Sequence, residues 1–283
     1  MIKKIKIILD MIKFQHTVFA LPFAFMGAIL PENGIPSLHK IFFILLAMIG
    51  ARSAGMSLNR LIDAEIDMNN PRTKNRPIQR NLITKGQVFV FIIINLALFI
   101  FAAYMLNPLA FKLSFVAIAF LIMYPYTKRF TFFAHFFLGL CLSFAPIGGW
   151  IAVKGELELT PILLMLAVIC WASGFDIIYS LQDIEHDREY GHFSIPAKLG
   201  VKNALLISRA LHFAMFLLLL AVKFEHHLGG FYLAGTLGTG AALIYEHSMV
   251  KESDYSKADA AFFNVNGIIS IMLFIFTMLD VMK

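Results

Sequence analysis

Asn59, Asp63 and Asp67 stand four residues apart, where a run that is almost wholly apolar from Ile41 turns densely ionic. On a helix, four residues advance about 400°, so the three side chains stack on one face, which Arg52 shares. One amide oxygen in column with two carboxylates makes a hard-oxygen surface suited to Mg2+. A second acidic group, Asp176, Asp183 and Asp187, closes another long apolar run, and Asp183 follows Asp63 by 120 positions. Two such clusters facing each other would hold a diphosphate through Mg2+, each metal bridging protein and phosphate oxygens. Spacing alone gives Asp176 no role.

Charge bookkeeping asks for cations nearby. A diphosphate carries about three negative charges, the four carboxylates of Asp63, Asp67, Asp183 and Asp187 add four, and two Mg2+ return four positive. Arg72, Arg76, Lys128 and Arg129 lie in adjoining segments, and Arg52 is already on the metal-binding face. His16, at the start of an apolar segment, and His186 and His192, in the second acidic loop, read as interfacial or hydrogen-bonded residues rather than catalytic ones.

The elements that must position these groups lie in a membrane. The chain has 283 residues, 59% hydrophobic and only 15% charged, with a mean hydropathy of +0.76. Soluble domains carry roughly 25% charge. The net charge of +6 sits in short loops between apolar runs, which excludes a phosphate-binding stripe for nucleic acid. Cys141 and Cys170 lie within apolar runs, without metal or disulfide spacing. Residues 1–14 read as an interfacial amphipathic helix, not a removed signal peptide.

A bilayer crossing takes about 20 mostly apolar residues. Nine segments qualify, at about 16–30, 41–62, 87–106, 109–126, 132–153, 160–182, 203–222, 228–246 and 262–282. The predicted fold is thus an all-α integral membrane protein of nine transmembrane helices, one domain over residues 1–283. The two acidic clusters end the second and sixth helices, which suggests two related halves around a shared site. Lys and Arg crowd the loops on the side of the N-terminus and both acidic clusters, and are sparse on the other. The positive-inside rule therefore places the site at the cytoplasmic face, with the C-terminus opposite.

Several stretches resemble the intramembrane aromatic prenyltransferase family: Arg52-Ser53-Ala54-Gly55, Asn59-x3-Asp63-x3-Asp67, Asn75-Arg76-Pro77, Tyr124-Pro125-Tyr126-Thr127-Lys128-Arg129 and Asp176-x6-Asp183-x3-Asp187. The opening His16-Thr17-Val18-Phe19-Ala20-Leu21-Pro22-Phe23-Ala24 is similar to a subgroup of it. The resemblance implies nine helices around a central cavity and transfer of a polyprenyl group from a polyprenyl diphosphate to an aromatic acceptor. It implies Asn59, Asp63 and Asp67 as one metal site and Asp183 and Asp187 as the other. Arg72, Arg76 and Lys128 would hold the diphosphate, and Arg129 the carboxylate of the acceptor. Mg2+ and these cations would let the allylic C–O bond break, with Tyr124, Tyr126 and Tyr179 facing the cation through their rings. Asp183 would be free to accept the phenolic proton beside its metal role. One departure stands out: many relatives have Asn-Asp where this chain has Asn59-Arg60, and the position after Asn59 is rotated about 100° off the metal face.

The resemblance implies 4-hydroxybenzoate as the acceptor, in ubiquinone-type synthesis, with a dihydroxynaphthoate-type acid of menaquinone synthesis as the alternative; the sequence points to no obligate protein partner. A secondary transporter is the rival from another class. It would carry its acids near mid-membrane within broken helices, whereas here they are confined to one face.

Overall fold

The computed structural model describes residues 2–13 and 17–283; His16 lies outside them. Among the described residues there is no β-strand. In chain order the helices are α1 (Ile2–Met11), α2 (Thr17–Ile29), α3 (Leu38–Ile62), α4 (Ala64–Asn69), α5 (Lys85–Leu106), α6 (Pro108–Thr127) and α7 (Ala134–Lys154). They continue with α8 (Leu159–Ser180), α9 (Ile184–Tyr190), α10 (Ile195–Glu225), α11 (Gly230–Met249), the short α12 (Ala258–Ala260) and α13 (Asn266–Val281).

Of the nine segments expected to cross the bilayer, seven coincide with helices long and apolar enough to do so, which makes this a multi-pass integral membrane protein. The remaining two are α2 and α11. α2 has 13 residues, about 20 Å of helix against a hydrocarbon core of about 30 Å. α11 is long enough, but glycine, threonine and Glu246 dilute its apolar content.

Local chemistry sets the helix ends. Thr84 and Gln87 close a reciprocal capping box at the start of α5. Asn107 ends α5 and caps α6, its Oδ1 accepting from Ala110 N at 2.8 Å, with Pro108 in the first helical position where no N–H is needed. The same side chain donates to Ile151 O at 2.7 Å and so pins this corner to α7.

Packing runs α3 on α5, α7 on α8 and α8 on α10, with α2 laid against α7 and α13. A core of Phe23, Met26, Trp150, Trp171, Phe175 and Tyr232 joins these helices, while Phe89, Ile94, Phe213 and Ile244 face outward. Lipid gives apolar helices no hydrophobic reason to associate, so close backbone approach matters more. It is closest between α2 and α7, where a Cβ on Gly27 would fall 1.9 Å from Pro146 O. Gly27→Ala is therefore expected to destabilise the protein by about 1–3 kcal/mol, the usual range for overpacking. A thermal melt in detergent checks this, and an unchanged midpoint would show that the contact relaxes freely.

Both acidic motifs occur where a long helix gives way to a short one. Asp63 separates α3 from α4 with φ −89° and ψ 7°, and Asp183 separates the turn after α8 from α9 with φ −103° and ψ 3°. The sequence suggested an unbroken column through Asp67; instead the helix breaks at Asp63. Backbone bonds still cross the break, from Asp63 N to Asn59 O at 3.0 Å and from Asp67 N to Asp63 O at 2.8 Å. The column survives, slightly bent.

Candidate functional site

A cavity of about 590 Å³ is lined along α3 from Ile44 to Asp63, which at 1.5 Å per residue is about 28 Å of helix. Ala20, Ala24, Met48, Leu113, Leu142 and Ile151 contribute to its apolar wall. Asn59, Asp63, Asp67, Asp183 and Asp187 all line it, and so do Arg52, Arg72, Arg76, Lys128, Tyr124 and Tyr179. The two acidic motifs, remote in sequence, thus open on one space.

They are also tied together directly. Asn70 Nδ2 donates to Asp183 Oδ1 at 2.9 Å, and Arg72 Nε to the same oxygen at 3.0 Å. Arg72 Nη2 pairs with the other oxygen of Asp183, and Nη1 donates to the Tyr179 hydroxyl at 2.7 Å. The loop after α4 can reach this far because Asn70 turns it, its Oδ1 accepting from Arg72 N at 2.9 Å. Thr73 anchors the turn by donating to Asp67 O at 2.9 Å, and Arg76 pairs with Asp67.

Asp63 is the most enclosed of the acids, at 1% exposure. Lys128 Nζ lies 2.6 Å from its Oδ2, and Asn59 Nδ2 donates to that oxygen at 3.0 Å. Burial pushes the Asp63 carboxyl above its usual range, and the Lys128 charge only partly offsets this. Burial opposes the charge on Arg72, but its bonds to Asp183 prevail and raise its pKa. His192, also on the cavity wall, is pushed below the usual imidazole range by burial and by Lys128.

Not every expected residue points inward. Arg129 is outside the cavity lining: its Nη2 donates to Ile62 O at 2.7 Å, stands 4.0 Å from Asp63 Oδ1, and its guanidinium lies 5.2 Å from the Tyr126 ring. Tyr126, expected to face the cation, is instead exposed beneath Arg129, outside the cavity lining. Lys128 caps the C-terminus of α6 and Arg129 follows it in the turn, where the two side chains diverge. Arg60 is a second correction. Its backbone is rotated off the metal face, yet the long side chain curls back to line the cavity, bonding Asn59 Oδ1 and Met11 O, each at 3.3 Å.

Sequence reasoning missed Asn70 and Thr73, which sit in a loop with no periodicity, and His135, a lone histidine on α7. It had no signal for Phe262 either, whose ring lies 4.3 Å from that of Tyr179. The nearest hints were the turn-forming Asn70-Pro71 pair and the short polar segment that follows it.

The donor set suits Mg2+: one amide and four carboxylates, all oxygen, on one cavity. The strongest structural sign is Asp63 Oδ1, buried without a hydrogen bond. Among the described residues no three His, Cys, Asp or Glu side chains converge on a point. Asp63, Asp67 and Asp183 are turned to Lys128, Arg76 and Arg72 instead.

Helical throughout its described elements and multi-pass, the chain opens two acidic motifs on one long apolar cavity. Residues 20–268 match the UbiA prenyltransferase family, and the chain belongs to that family. Its sequence is 27% identical over 250 residues to the 4-hydroxybenzoate octaprenyltransferase of Vibrio atlanticus (strain LGP32), covering 87% of this chain and 88% of the relative. The apo structure of a UbiA homolog from Aeropyrum pernix K1 superposes with a TM-score of 0.86 at 33% identity, over 94% of this chain and 98% of that one. A UbiA homolog from Archaeoglobus fulgidus bound to GPP and Mg2+ shares the fold, with a TM-score of 0.76 at 20% identity over 98% of this chain and 100% of that one.

Proposed function

We propose that the protein transfers a polyprenyl group from a polyprenyl diphosphate to a ring carbon of 4-hydroxybenzoate, in a Mg2+-dependent step of ubiquinone-type quinone biosynthesis. The observation that carries this reading is the tie from Asn70 and Arg72 to Asp183, which joins both acidic motifs at one cavity that also has a long apolar wall. The names of the Vibrio relative and of the Mg2+- and GPP-bound homolog support it.

Asn59, Asp63, Asp67, Asp183 and Asp187 would hold the metal ions. Mg2+, when bound, stabilises the charge that gathers on the departing diphosphate. Arg72, Arg76 and Lys128, already poised on the carboxylates, turn to the phosphate oxygens as charge-assisted donors. The apolar wall keeps water from the allylic cation, and the Tyr124 and Tyr179 rings face it. We place the acceptor's carboxylate on Arg52. This guanidinium lines the cavity, its Nε is buried without an acceptor, and among the described residues no carboxylate lies within 4.0 Å of it. An arginine so enclosed is short of an anion.

We further take α2 and α11 as crossings, giving nine helices around a central cavity in two related halves, with α1 at the interface. The motif loops then face the cytoplasm. Cysteine labelling of loops 70–84 and 191–194 is expected to place both on that side, and labelling from opposite sides would overturn a shared site.

The function is tested with the purified protein in lipid nanodiscs, supplied with a polyprenyl diphosphate, Mg2+ and either 4-hydroxybenzoate or a dihydroxynaphthoate. Prenylated hydroxybenzoate is the expected product. Product from the naphthoate alone would overturn the acceptor, and, with the protein reconstituted in sealed proteoliposomes, diphosphate movement across the bilayer without transfer would favour a transporter.

A further inference from the structure

His135 and Asp176 form a polar pair on the same cavity, apart from the ion pairs of the two acidic motifs. His135 sits in the first turn of α7, is 4% exposed, and places Nδ1 2.7 Å from Asp176 Oδ2. Its Nε2 faces the Ile195 N–H at 3.3 Å. A ring nitrogen that accepts from an amide carries no proton, so the proton of the neutral imidazole is on Nδ1 and is donated to Asp176. The tautomer is thus set by the backbone at the start of α10, just beyond the second acidic motif.

This leaves Asp176 unlike its neighbours. Asp63, Asp67 and Asp183 each face a lysine or arginine within 4.0 Å, whereas among the described residues Asp176 faces only His135. Asp183 is a poor proton acceptor, because three donors from Asn70 and Arg72 already load its two oxygens. Asp176 has one oxygen oriented by His135 and the other uncommitted, on a wall that also carries Arg52 and Tyr124. Tyr124 is within electrostatic range of both charged groups.

We infer that Asp176 is the catalytic base that removes the ring proton, with His135 as its positioning residue; this rests on the prenyl-transfer reading above. The allylic C–O bond breaks and its electron pair leaves with the diphosphate. The ring carbon beside the phenol gives an electron pair to the allylic carbon, forming the new C–C bond. Asp176 then takes the proton from that ring carbon, and the C–H electrons restore aromaticity. The proton passes from Asp176 to the departing diphosphate, so hydrogen has been exchanged for prenyl and no other reactant is needed.

The test uses the full chain in nanodiscs, with Asp176→Asn and His135→Gln measured beside the wild type on ordinary and ring-deuterated 4-hydroxybenzoate. Asp176→Asn is expected to lower kcat for the prenylated product by about tenfold or more, at the low end of general acid–base contributions, with KM for the donor unchanged. Diphosphate release should then outrun product, the donor ionising but ending as the free prenyl alcohol. A ring-deuterium isotope effect absent from the wild type should appear, because proton loss becomes limiting. His135→Gln should show the same isotope effect with a smaller fall in kcat, and it carries the test alone if Asp176→Asn does not fold. Wild-type kcat without an isotope effect in either folded variant would overturn the assignment. A wild-type protein that prenylates no aromatic acid would instead overturn the function itself.

Discussion

Asp63→Asn and Asp183→Asn each lower prenyl transfer by about a hundredfold or more, the scale on which a principal electrostatic contact to a transition state is worth. The substitution is nearly isosteric, so the loss falls on charge and metal ligation. In Asp63→Asn the amide keeps a hydrogen bond to Lys128 but removes the acidic-motif carboxylate whose Oδ1 is buried without a donor. In Asp183→Asn the amide still accepts from Asn70 or Arg72 but no longer neutralises the guanidinium. Both proteins should purify as folded monodisperse species, though at lower yield, since neither side chain supports the core but each leaves a cation unpaired. Steady-state turnover against Mg2+ concentration is the deciding measurement. Full activity of the wild type in excess chelator would sink the metal–diphosphate reading outright.

Arg52→Ala lowers kcat/KM for the acceptor by about ten- to a hundredfold, the cost of losing a hydrogen-bonded partner of a charged group, with the donor's KM little changed. Arg52→Lys recovers little, because an ammonium keeps the charge but not the planar fork that a carboxylate accepts. Arg129→Ala, by contrast, has a small effect on either substrate, as its guanidinium is committed to Ile62 O outside the cavity. Varying each substrate in turn for the three proteins separates the two arginines. A loss of acceptor use confined to Arg129→Ala would put the acceptor's carboxylate at the cavity mouth and free Arg52 for another role.

The acidic motifs were legible because charge at the end of an apolar run is conspicuous, and four-residue spacing translates directly into a helical face. Seven helices were legible for the same reason: nothing but a bilayer favours such uninterrupted apolarity. α11 was read as a span although its buried face is polar, with Thr236 donating to Tyr232 O and Glu246 Oε1 accepting from Asn266 of α13. What could not be read was the direction of long side chains. Arg60 and Arg129 both defied their backbone position or their neighbour's example, since several rotatable bonds can carry a guanidinium anywhere within about a turn of its Cα. Tertiary ties such as Asn70 to Asp183, and His135 to Asp176, leave no trace in local pattern at all.

Among the described residues, the cavity sets Arg52, Arg60, Arg72, Arg76 and Lys128 against Asp63, Asp67, Asp176, Asp183 and Asp187. Formal charge cancels before any substrate arrives. The cavity therefore brings no net formal charge of its own into the bilayer. It follows that neutralising one partner leaves an excess charge in a poorly hydrated place, a burden on biogenesis separate from chemistry. Removing both partners of a pair, as in Arg72→Gln with Asp183→Asn, should restore yield in the membrane while leaving the enzyme inert.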